Sequence, residues 1–80
     1  MSIAIAFAYT DYALVQAALR EFRVYPVDDN HARLAAAIVV APGAIPTDAD
    51  PLTVPMPPTA TRVEVVPVDV DGQEGMAAYT

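Results

Sequence analysis

The sequence predicts an α+β fold: a small antiparallel sheet carrying one helix, with an extended proline-rich arm and a C-terminal β-hairpin. Three observations carry that prediction. Residues 2–9 and 62–70 are apolar at strand-like spacing. Residues 12–23 are apolar at helical spacing. Seven of the eight prolines fall between Pro42 and Pro67, where fixed φ angles and missing N–H groups force an extended backbone.

The first strand is read from alternation. Ile3, Ile5, Phe7 and Tyr9 share one face, and Ala4, Ala6 and Ala8 share a thin one that another layer can approach closely. Thr10 and Asp11 are N-cap residues. Behind them Val15, Ala18, Leu19 and Phe22 form one helical stripe, widened by Leu14, with Gln16, Arg20 and Arg23 turned to water. The predicted helix therefore runs from Asp11 to Arg23, with its apolar stripe on the first strand.

Residues 24–27 form a short β-prone run interrupted by Pro26, and Asp28-Asp29-Asn30-His31 is a polar turn cluster. In residues 33–41, three alanines favour helix while Ile38, Val39 and Val40 favour strand. Strand is preferred, because residues 24–27 and 34–40 then make a hairpin across the turn. Residues 42–60 read as the arm within a single domain spanning 1–80. Leu52, Val54 and Met56 sit at period two along it, a strand-like face suited to a groove.

Residues 62–70 form the next strand, and Asp71-Gly72 signals a two-residue type I′ turn. That turn sets Val70 opposite Gln73, Val68 opposite Gly75 and Val66 opposite Ala77. Pro67 then falls opposite Met76, with its missing N–H directed to the other side, which predicts an edge strand. Val63 and Val65 share one face while Val66, Val68 and Val70 share the other. This slip in phase predicts a bulge near residues 65–67.

Composition narrows the function. The chain has 80 residues, no cysteine and no lysine, and a net charge of −6 with four arginines. The arginines are scattered, so nothing favours a nucleic-acid backbone. The apolar run at residues 35–42 is too short to span a bilayer, and residues 1–9 lack the basic flank of a signal peptide. The expected locale is the cytoplasm at synthesis, with residence in a virus particle as an option. An apolar content of 55% is rich for so small a domain, so part of it is expected in an interface.

Little of the sequence suggests catalysis. No thiol or amine nucleophile exists, and the one serine is Ser2. His31 beside Asp28 and Asp29 lacks metal-ligand spacing and reads as a turn residue. The Asp69-Val70-Asp71-Gly72 run matches only the start of a calcium loop and reads better as the hairpin turn. The expectation is no catalytic residue, no cofactor and no metal. Tyrosine suits interfaces, and the predicted contact residues are Ile45, Leu52, Val54 and Met56 of the arm together with Tyr79.

In composition the chain resembles small accessory proteins of virus particles, being short, free of cysteine and rich in alanine and proline. The resemblance implies a structural role, in which the chain docks on a larger protein assembly as a phage decoration or head–tail connector component. Self-association is left open. The rival reading is a small acidic inhibitor or regulator that binds one cytoplasmic protein target.

Overall fold

Strand alternation, more than helical spacing, organises the chain. The computed structural model describes residues 1–7 and 18–80, which form six strands and one 3-10 turn (Pro42–Ala44). The strands are β1 (Ser2–Ile5), β2 (Leu19–Val27), β3 (Ile38–Val40), β4 (Leu52–Pro55), β5 (Arg62–Asp69) and β6 (Ala78–Tyr79). They make two antiparallel sheets, β1-β4 and β3-β2-β5-β6.

This corrects the expected α+β class. Of the predicted helix, residues 11–17 lie outside the described residues, and Leu19 to Arg23 belong to β2 instead. The spacing misled for a physical reason. Leu19 pairs with Asp69 and Glu21 with Val68, so the register slips at Arg20, as in a β-bulge. One extra residue flips strand parity, so Leu19 and Phe22, three apart, both reach the core. Beyond the slip, buried Phe22, Val24 and Pro26 alternate with half-buried Arg23 and Tyr25.

Both sheets feed one apolar cluster. Ile5, Val54 and Met56 come from the β1-β4 side, and Phe22, Val24, Val40, Val63 and Val65 from the larger sheet. Phe7 sets its ring edge-on to Phe22, with centroids 5.2 Å apart. Ile3 opposes Val54 and Ile5 opposes Leu52, so these four share the inner face of the small sheet. The opposite face of that sheet, Ser2, Ala4, Thr53 and Pro55, is exposed. The alanine face of β1 is therefore exposed at Ala4.

The arm is the second correction. Leu52 to Pro55 pair with β1, and the Met56 N–H donates to the Met1 carbonyl at 2.7 Å. Val54 is fully buried and Met56 is 8% exposed. The groove that their period-two face fits is the protein's own core.

Two hairpins frame β2 and β5, and both use the same turn. Asp28 and Asp69 each accept, through one carboxylate oxygen, the N–H groups two and four residues ahead, at 2.9–3.0 Å. Each carbonyl also accepts the N–H three residues ahead at 3.0 Å. The residue at that third position is left-handed: His31 at φ 64°, Gly72 at φ 85°. Asp71 has no positive φ, so the second turn is a longer connection than the expected type I′.

Of residues 33–41, where strand was preferred, only Ile38–Val40 form one, and the first hairpin closes through it and an isolated bridge at Arg33. Val27 faces Arg33, Val24 faces Ile38 and Phe22 faces Val40. In the second, Val68 faces Glu74 near the turn, one residue off expectation, while Val65–Ala78 and Glu64–Tyr79 keep the expected register.

Pro67 lies within a central strand, not an edge. It opposes Phe22 of β2, while its carbonyl accepts the Gly75 N–H at 2.8 Å from the other side. A strand residue points its N–H and C=O the same way, so the missing donor faces the return segment. A β-carbon on Gly75 would lie 3.1 Å from the Pro67 ring, so glycine allows this close approach. The valine phase slip in β5 reflects burial on both faces. Val63 and Val65 join the core, whereas Val66 and Val68 are buried on the far face, and the β2–β5 register runs unbroken from Glu21–Val68 onward.

Candidate functional site

That far face carries most of the molecule's polar chemistry. In register, Arg23 opposes Val66, Tyr25 opposes Glu64 and Glu64 opposes Tyr79, so side chains from β2, β5 and β6 meet on one side. The turn after β2 adds His31 and Arg33, and the return to β6 adds Glu74.

Glu64 is the centre, with its side chain 7% exposed. Its Oε1 accepts the Arg33 Nε at 2.8 Å, and its Oε2 accepts the Tyr79 hydroxyl at 2.6 Å. Arg33 also donates to Glu74 Oε2 at 3.2 Å, and its guanidinium lies 4.0 Å from the centre of the Tyr25 ring. Arg23 donates to Glu21 at 2.7 Å and reaches Glu74 at 3.8 Å, while Arg20 lies 3.5 Å from Glu21. His31 stacks on Tyr79, with centroids 4.1 Å apart and an interplanar angle of 18°.

The titration of these groups follows from their contacts. Burial pushes the Glu64 carboxyl up. The hydrogen bonds from Tyr79 and Arg33, with the Arg33 charge, more than offset this and hold it below its ordinary value. The same bond to Glu64 raises the Tyr79 phenol. The bond from Arg23, against the opposing effect of desolvation, lowers the Glu21 carboxyl.

The network contains all three glutamates and three of the four arginines, so its formal charge is 3 − 3 = 0. The net charge of −6 is then seven aspartates less Arg62. Among the described residues no buried side-chain nitrogen or oxygen lacks a hydrogen-bond partner, and no three His, Asp or Glu side chains are placed to hold a metal ion. A neutral, saturated network of this kind fixes strand register and holds the end of the chain to the sheet.

The predicted contact residues do not converge. Val54 and Met56 are core, and Ile45 and Leu52 are half-buried against it. Tyr79, 38% exposed, sits on the far face with its hydroxyl committed to Glu64 and its ring to His31. The network itself had a legible signal. Glu21, Arg23 and Tyr25 stand at period two, the spacing of one strand face, but a helical reading of residues 11–23 hides it.

Among the described residues, the large apolar ones left exposed are Met1, Val39, Val70, Met76 and Tyr79. No helix among the described residues is long and apolar enough to cross a membrane. Compared with protein families, curated proteins and solved structures, the chain matches none.

Proposed function

We propose that the chain is a structural or interaction protein that docks on a larger protein assembly. The observation that carries this reading is the β5–β6 hairpin, where Met76 is 93% exposed and Val70 63%. A small domain with a limited core leaves two large apolar side chains exposed on one hairpin, and such placement favours contact with another protein. The returning segment of that hairpin is tied to the sheet by the neutral network, through Tyr79 to Glu64 and Glu74 to Arg33. The most concrete form is a phage decoration or head–tail connector component, a form that rests on the Ala- and Pro-rich composition alone.

The test is sedimentation of native particles from cells making the tagged chain. The chain travels with the particles in many copies, and Met76→Asp with Val70→Asp releases it without lowering its own melting temperature. Recovery only at its own mass, or one-to-one on a single soluble target, rejects the assembly reading.

A further inference from the structure

The opposite edge of the large sheet carries an independent inference. β3 is its outermost strand, and the direction of its backbone groups can be derived. The Leu34 N–H donates to the Pro26 carbonyl at 3.0 Å, so Pro26 points toward the β3 side of β2. The Thr61 N–H donates to the Val27 carbonyl at 2.9 Å, so Val27 points toward β5. Strand residues alternate in this respect, so Phe22 and Val24 also point toward β3. Their partners Val40 and Ile38 spend their N–H and C=O groups on β2. The N–H and C=O of Val39, between them, point off the outer edge, and nothing among the described residues pairs with them.

Natural edges are blunted by charge, proline or a covering segment. β3 has no charged or proline residue in it. It lies within residues 34–47, fourteen consecutive residues without a charge and the longest such run in the chain. The Val39 side chain is 60% exposed, and flanking Ala35, Ala36 and Ala41 are small and exposed. In a molecule of net charge −6, two copies repel except where charge is absent.

We propose that this edge pairs with the same edge of a second copy. The pairing is antiparallel about a two-fold axis at Val39, so each Val39 N–H donates to the other copy's Val39 carbonyl. An isologous contact of this kind is self-complementary by construction. It joins two four-stranded sheets into one of eight strands. A contact of a few strand residues buries far less than the roughly 800 Å² per partner of a stable interface, so association is weak, with a dissociation constant on the order of 100 µM.

Sedimentation equilibrium from about 10 µM to 1 mM, with amide exchange read at each concentration, tests this pairing. The mass rises toward twice the monomer, and Val39 exchange slows in step. Val39→Lys keeps its pairing with β2 and its melting temperature but stays monomeric at 1 mM. The proposal is overturned by a monomer at 1 mM with fast Val39 exchange. A Val39 amide protected equally at every concentration also overturns it, since the chain then covers its own edge. So does a dimer that survives Val39→Lys, which uses another surface. Docking through Val70 and Met76 stands or falls separately, because those residues lie on the β5–β6 hairpin.

Discussion

His31 shows how a residue that looks idle in sequence is placed by its backbone. It occupies the position that Gly72 holds in the sister turn, with φ 64° against 85°. A left-handed conformation strains a side-chain-bearing residue by roughly 1–2 kcal/mol. Its ring returns part of that by stacking on Tyr79, a contact of about 0.5–1.5 kcal/mol. Glycine and alanine both remove the ring, and only alanine keeps the strain. In urea melts His31→Gly is expected to exceed His31→Ala in stability by about 1 kcal/mol. Equal stabilities contradict the left-handed turn. Glu64 is the other residue with a sharp expectation. Its carboxyl titrates lower in the folded chain than when unfolded, so its contribution is full above the ordinary carboxylate range and fades as pH falls through the folded value. Glu64→Gln therefore lowers stability by about 1–2 kcal/mol at pH 7, with the loss shrinking as the pH falls below the ordinary carboxylate range. A pH-independent loss means that packing, not charge, is what Glu64 supplies.

At the scale of elements, the hairpins were legible and the first half of β2 was not. Polar turn clusters at residues 28–31 and 69–72 mark both reversals, because Asp side chains cap such turns by their own hydrogen bonds. The register slip at Arg20 defeats the reading of residues 19–23, since one inserted residue gives Leu19 and Phe22 the i, i+3 relation of a helix. The proline-rich segment defeats it differently. Proline density fixes an extended backbone but not what the extension packs on, and β4 packs on its own molecule. Val54→Ala is accordingly expected to cost about 2–3 kcal/mol in the free protein, and Val54→Asp to unfold it. Ala and Asp variants that melt like the parent contradict the burial of β4. Gly75→Ala is a milder probe. The contact with the Pro67 ring forces a shift of a few tenths of an ångström, and the C-terminal segment loosens before the sheet melts. The Tyr79 ring resonances in NMR then change at lower denaturant than backbone circular dichroism, whereas coincident transitions show that the segment is not held there.

At the scale of the whole molecule, two small sheets close on one cluster, and neither is self-sufficient. A two-stranded sheet is marginal alone, and an 80-residue chain commands only about 4–12 kcal/mol in total. Composition made the apolar excess visible, but not its distribution. Core positions and outward positions such as Val39 and Met76 use the same residue types, and only pairing separates them. The charged network was hidden for a similar reason, since it joins residues as far apart in sequence as Arg33 and Glu74. The claim on which all of this rests is that residues 52–56 are core strand in the isolated chain. Met56 donates to Met1, so by alternation the Val54 N–H also points into the β1-β4 ladder and the Thr53 N–H away from it. Residue-resolved amide exchange on the free protein, dilute enough to exclude association, reads this directly. Slow exchange at Val54 and Met56 is expected, with fast exchange at the neighbouring Thr53; uniformly fast exchange from Leu52 to Met56 returns the segment to the role of a free arm.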